Sequence, residues 1–180
     1  MIPRLRELLR NRSGAAAIEF AILLPVALLL LFGTYEVTNA VVTYMKLTAA
    51  VDTVGDLVAQ QTSVSSAMLD DFYKAEQLVM SPASTSGLGF AVASVTFSLN
   101  TTSNTVQATQ AWQQTRGSAT SMTDAATSST NLGGNGESVI VTQATYTYNS
   151  LLKYVLPKGI VMSQRIYTRP RTAPSIPFTN

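Results

Sequence analysis

The sequence predicts an α+β protein: a long N-terminal transmembrane helix that runs on into an extracytoplasmic domain with a second helix and an antiparallel sheet of about four strands. Three observations carry this. Residues 15–33 form an apolar run, interrupted only by Glu19, behind an Arg-rich start. An apolar stripe at helical spacing continues from that run to about residue 60, and a shorter one follows. From residue 90 on, strand signals follow, first an alternating segment and then others, one of them rich in β-branched residues and Tyr, about four in all.

The first 13 residues carry Arg4, Arg6, Arg10 and Arg12 against Glu7 alone. The apolar run behind them is long enough for a bilayer core, which needs roughly 17–25 residues. With the basic flank in front, the positive-inside rule puts the N-terminus in the cytoplasm and everything after the run outside it. A cleaved secretory signal is a rival, but its small-residue site should follow the run. The residues after it are Thr34, Tyr35 and Glu36, and the small residues Ser13, Gly14 and Ala15 stand in front instead. An ordinary signal anchor explains length and flank but has no need of Glu19. A carboxylate at the centre of a spanning helix costs roughly 2.5–3.5 kcal/mol, less near an end. Glu19 is therefore either a functional group or a side chain snorkelling to the interface. Pro25 would break a soluble helix, yet membrane helices tolerate it because neighbours satisfy the freed groups. A mild kink is expected there.

The helical pattern does not stop at the membrane. Val37, Tyr44, Val51 and Val58 recur every seven residues, with Ala40, Leu47 and Val54 between them. Glu36, Asn39, Thr43, Lys46, Asp52 and Asp56 fall largely away from that stripe. The stripe predicts packing on the domain or, alternatively, a short coiled-coil seam.

After the polar break at residues 61–66, Ser65 or Ser66 caps a second helix, with Asp70 and Asp71 expected in its first turn. Met68, Phe72, Ala75 and Val79 are its expected buried stripe, and Ser81-Pro82 ends it. Strands are expected at 90–99, 105–113, 138–148 and 160–168, with Asn100–Asn104 a turn and 151–156 a short apolar link. On the first strand Ala91, Ala93, Val95, Phe97 and Leu99 share a face; on the second, Val106, Ala108 and Trp112 do. The Ser/Thr/Gly-rich stretch 115–137 is expected to be a binding loop or a mobile one. Its Gly133-Gly134-Asn135-Gly136 lacks the Gly-Lys-Ser/Thr of a phosphate loop. The organisation is then a basic leader (1–14), the membrane helix with its amphipathic extension (15–60), the α+β domain (61–170) and an exposed tail (171–180).

Composition narrows the function. The 180 residues contain no Cys and no His, which removes Cys-His and Ser-His-Asp catalysis and His or Cys metal sites. Charged residues are 12%, about half the usual share. The net charge of +2 gives no reason to expect a nucleic-acid partner. No cofactor, no metal and no enzymatic activity are expected.

Residues 14–25, reading GAAAIEFAILLP, resemble the processing site of type IV prepilins. More narrowly they resemble the opening of TadE-type pseudopilins, minor pilins of the tight-adherence (Flp) type IVb pilus system. Ala49-Ala50 and the run DLVAQ at 56–60 are similar to the next part of that pattern. Tyr146-Thr147-Tyr148 and Arg169-Pro170-Arg171 are similar to its tail. The resemblance implies a pilin-like domain and cleavage by a prepilin peptidase after Gly14, which makes Ala15 the first and Glu19 the fifth mature residue. Phe20 stands where such sites usually carry Tyr, and the chain is much longer than the major Flp pilins. The resemblance further implies that the new amine at Ala15 pairs with Glu19 of a neighbour. It implies as partners other pilins and pseudopilins, the inner-membrane assembly platform and the lipid bilayer. A type II secretion pseudopilin is the alternative; a generic membrane-anchored extracytoplasmic binding protein comes after it.

Overall fold

The computed structural model describes residues 13–150 and 159–179. The Arg-rich stretch up to residue 12 and the apolar link at 151–156 lie outside the described residues. Helix α1 (Ser13–Ala59) is followed by β1 (Val64–Ser65), α2 (Ser66–Met80), β2 (Leu88–Asn100), β3 (Thr105–Gly117), α3 (Ala125–Ser128), β4 (Ser138–Tyr148), β5 (Ile160–Thr168) and β6 (Phe178–Thr179). The fold is α+β, as the sequence pattern predicts. Two compact units divide between Ala40 and Val41.

In the second unit a four-stranded antiparallel sheet runs in the order β3-β2-β4-β5. β2 is paired on both sides and nearly all its side chains are buried. Residues at even positions of β2 face the helices: Phe90 and Val92 pack with Val54 and Val58 of α1, Val64, Leu69 of α2, and Ile140. Odd positions Ala91, Ala93, Val95 and Phe97 face the other way, onto Met122, Ala125, Val139 and Val141. Gly55 sets the approach of α1 to the sheet, since a methyl group there would overlap Ile166 of β5. The turn at 100–104 closes through Asn100, whose Oδ1 accepts from the backbone N–H of Thr102 and Ser103, and Asn104 takes a positive φ of 50°. Ser65 caps α2, its Oγ accepting from the Met68 N–H at 3.3 Å.

Six expectations are corrected. Asp70 and Asp71 fall beyond the first turn of α2, which holds no acidic residue because the helix already starts at Ser66. On α1, Leu47, Val51, Val54 and Val58 are buried as the stripe predicts, but Val37 and Tyr44 are exposed while Glu36 and Thr43 are buried. A seven-residue spacing drifts by roughly 20° per heptad around a straight helix. The stripe that is inward at Val58 has therefore rotated off the buried face by Tyr44, where Thr43 is buried instead. On α2 the buried positions are Leu69, Glu76 and Met80, with Met68, Phe72, Ala75 and Val79 only half-buried. The carboxylate in the middle of the true face disguises its periodicity.

On β3 a bulge between the pairs Ser94–Trp112 and Val95–Gln110 inserts Ala111 as an extra residue. The bulge inverts side-chain parity, so Ala108 packs with the odd-face cluster and Trp112 with the even-face one. The stretch 115–137, expected to be a binding or mobile loop, is a packed cover. It begins as the end of β3, then places Met122 and Ala125 on the odd face, with Ser129 fully buried.

The last correction concerns the tail. Ile176 is 1% exposed and belongs to the even-face core, and β6 pairs in parallel with β1. The Trp112 indole N–H donates to the Ile176 carbonyl at 2.6 Å, the Val64 N–H to Pro177 at 3.0 Å, and the Ser138 hydroxyl to Pro174 at 2.7 Å. Prolines do not prevent this, because the segment offers carbonyls, which proline keeps. Ile176→Val should lower the unfolding free energy by about 0.5–1.5 kcal/mol, the usual effect of removing one buried methylene. An unchanged denaturation midpoint would return the tail to solvent.

Candidate functional site

The N-terminal half of α1 is apolar all round. Every described residue from Gly14 to Phe32 is exposed, including Ile18, Phe20, Ile22, Leu23 and Leu29, each at 64–71%. So much contiguous apolar surface is untenable in water. The helix closes its own backbone hydrogen bonds, which is the condition for entering lipid. α1 passes through Pro25 without a break. The ring removes the bond to the Ala21 carbonyl.

Gly14, Ala15, Glu19 and Phe20 all lie on this exposed stretch, in the first turns of the described helix. Ala15 and Glu19 stand four residues apart, hence one above the other on one helix face. Glu19 forms no ion pair among the described residues. A side chain built on Gly14 would meet no atom within 4 Å. The glycine is therefore not required by the packing of the chain.

The structure joins two sequence features that lie far apart. Arg171 donates to Asp56 Oδ1 at 2.7 Å, and its backbone N–H donates to the Ala59 carbonyl at 2.9 Å. The Thr172 hydroxyl adds a bond to the Gln61 carbonyl at 2.8 Å. These contacts finish the C-terminal turn of α1: Gln60 and Gln61 donate to the carbonyls of Asp56, Leu57 and Val58, and Arg171 supplies the partner of Ala59, the last of them. Arg169 reaches the other way, to the Leu132 carbonyl at 3.0 Å and to Glu137. Arg169-Pro170-Arg171 thus ties the end of the long helix to the cover over the odd face. Tyr146 and Tyr148, the other tail-like residues, are buried in β4 opposite Met162 and Ile160.

Two features have no counterpart in the sequence reading. Arg165 of β5 forms a two-pronged pair with Asp124 (2.8 and 2.9 Å) and also donates to Gln143, pinning α3 to the sheet. The guanidinium holds the Asp124 carboxyl below its ordinary range. Glu76 is the second. It is fully buried on α2, neither oxygen has a hydrogen-bond partner, and burial pushes its carboxyl up to about 8. The signal available in sequence was a lone Glu at a core position of the Leu69–Met80 spacing.

These features define a class: a protein with, among the described residues, one helix, Gly14–Ala59, long and apolar enough to cross a membrane. Residues 14–56 match the family model described as TadE-like protein, consistent with a TadE-type protein of the tight-adherence system. The match supports involvement in the Tad/Flp pilus system, and it ends at Asp56, the residue that Arg171 holds. No curated protein and no solved structure matches the chain.

Proposed function

We propose that this protein is a membrane-anchored pseudopilin, or minor pilin, that acts in assembly of an Flp-type type IV pilus after a prepilin peptidase cuts behind Gly14. The observation that carries the proposal is the coincidence at Gly14. The TadE-like match starts there, and the exposed apolar helix runs on from there. In this reading the Arg-rich leader stays in the cytoplasm and the second unit lies on the periplasmic side of the inner membrane. Ala15 becomes the new N-terminus, Glu19 the fifth residue, and the helix remains in the product as anchor. The second unit then makes the contacts to other pilins and to the assembly platform.

Mass spectrometry of the protein from strains with and without the peptidase is the test. A mature chain beginning at Ala15 is expected only where the peptidase is present. Gly14→Leu should leave the chain uncut yet stably inserted, because no atom of the described residues crowds that position. A start after Gly33, no peptidase-dependent shift, or a second unit shielded from protease added to spheroplasts would refute the reading.

A further inference from the structure

β3 is an edge of the sheet, paired with β2 on one side only. Which of its main-chain groups point outward follows from the bonds of β2. The Phe97 N–H donates to the Glu137 carbonyl at 3.0 Å, and the Phe97 carbonyl accepts from the Gly136 N–H at 2.9 Å, so both groups of Phe97 turn away from β3. Bonding alternates along an antiparallel strand. Ala108, opposite Phe97, is therefore not bonded to it, while Thr109 and Gln107 bond to their opposites Thr96 and Ser98. The Thr109 carbonyl does turn to β2, where it also accepts from the Thr96 hydroxyl at 3.3 Å. The N–H and C=O groups of Val106 and Ala108 thus point out of the sheet edge, and no group among the described residues bonds to them.

Strand edges are usually blunted by Lys, by Pro, by shortness or by a bulge. β3 has the bulge at Ala111, which interrupts regular geometry beyond Gln110. Residues 105–110 in front of it are exposed, apart from the half-buried Ala108, and contain neither charge nor Pro. No charged residue occurs from 101 to 115, and the cation that follows, Arg116, is turned back onto Asp70 and Ser66. An open row of strand donors and acceptors takes an extended strand. A strand that selects a charged partner carries the opposite charge. This one carries none, so a second copy of itself meets no repulsion.

The side chains fit a second copy as well. Setting Val106 opposite the partner's Ala108 uses the outward groups of both residues in both copies, clear of the Asn104 turn and of the Ala111 bulge. Val106 is 39% exposed beside Leu99, itself 40% exposed, at the thin end of the odd face. In this register the partner's Ala108 covers the open side of Val106, with the partner's Phe97 beyond it. The two-fold axis makes the same apolar row twice. We infer that two copies of this chain join through antiparallel pairing of their β3 edges, with Gln107 of each copy opposite the other on the two-fold axis. The pairing needs no cut at Gly14. It is a small contact beside the roughly 1,600 Å² of a standard interface, so the dimer is weak and is best trapped covalently.

The chain contains no Cys, so one introduced Cys reports alone. Gln107 falls in a non-hydrogen-bonded pair, which sets Cα atoms about 4.5 Å apart, inside the roughly 4.4–6.8 Å that a disulfide spans. The full chain with Gln107→Cys, in detergent under mild oxidation, should form a covalent dimer about tenfold faster than Asp71→Cys, which is also exposed but lies on α2. Charge then checks the register, since Thr105 lies opposite the partner's Thr109. Added to Gln107→Cys, the pair Thr105→Lys and Thr109→Lys should slow trapping by about two- to tenfold, because like charges oppose each other twice. Thr105→Glu with Thr109→Lys should restore it. Both sites are exposed, so neither pair disturbs the core. Equal trapping of Gln107→Cys and Asp71→Cys overturns the inference. So does equal trapping of the two charge pairs or, in cells, a Gln107→Cys adduct with a different protein in place of a second copy.

Discussion

Replacing Glu76 with Gln is expected to raise the unfolding free energy of the second unit by roughly 2–4 kcal/mol at pH 7.5 and to leave it nearly unchanged at pH 4.5. The carboxyl is fully buried without a hydrogen-bond partner, and its pKa moves from 4.5 to about 8. A carboxyl whose folded pKa lies above its unfolded value binds more protons folded than unfolded. Its effect on stability is therefore most favourable below pH 4.5 and falls as pH rises towards 8. At 1.36 kcal/mol per unit, the interval between those values sets a ceiling of about 5 kcal/mol. Gln keeps the shape and stays neutral throughout, so it removes the pH-dependent part and retains the cost of an unpaired buried amide. Glu76→Leu should gain more, since it also buries apolar surface. Asp124 does not confuse the measurement. Its carboxyl is lowered by Arg165, so its contribution is present above its unfolded pKa and fades at more acid pH. Urea midpoints of the full chain in detergent, at pH 5 and at pH 8, decide the matter. Parallel pH slopes for the two proteins would show that Glu76 is solvated or paired.

What was legible in the sequence was whatever rests on local pattern and composition. The strands at 138–148 and 160–168 coincide with β4 and β5, since runs rich in β-branched residues and Tyr read as strands from composition alone. The Ser65 cap and the stop at Ser81-Pro82 follow from local chemistry, and the structure has α2 at Ser66–Met80. What was hidden depends on contacts between distant segments. A two-for-one bulge at Ala111 cannot be seen in β3 alone, because it is defined only against β2. The C-terminal segment has the composition of a tail, yet Ile176 has a place in the core because the sheet leaves room beside Trp112. In the stretch 115–137 only Met122, Ala125 and a few small residues face inward. A thin cover of small side chains has the composition of a loop.

The candidate site divides in the same way. Gly14, Ala15, Glu19 and Phe20 form a contiguous motif, and a contiguous motif needs no fold to be found. The Asp56–Arg171 pair spans 115 positions, so nothing local announces it. Each partner nevertheless stands in a recognisable local run, Asp56 in DLVAQ and Arg171 in Arg-Pro-Arg. Their meeting gives a physical reason for both: one fixes the end of the long helix to the other.

Glu19→Gln is expected to leave the protein inserted and cleaved but to abolish its support of piliation. The argument is one of charge. Glu19 lies on an exposed apolar helix and has no ion pair among the described residues, and in the proposed reading its partner comes from a neighbouring chain. Under the proposed processing, cleavage creates an amine at Ala15, one helical turn away on the same face, and every neighbouring copy or pilin carries such an amine. In a low-dielectric interior an opposite pair attracts strongly, whereas either charge alone is disfavoured by several kcal/mol. Gln preserves size and hydrogen-bonding capacity, removes only the charge, and makes the segment no harder to insert. Any defect then falls on the step after insertion. The peptidase acts at the Gly14–Ala15 bond, and the helix there remains as open as in the native chain, so leader removal should proceed. The two readouts are taken from one strain: mass of the mature chain, and pili counted by electron microscopy. Normal piliation with Gln at this position would sink the charge argument and make Glu19 a side chain that merely snorkels to the membrane surface.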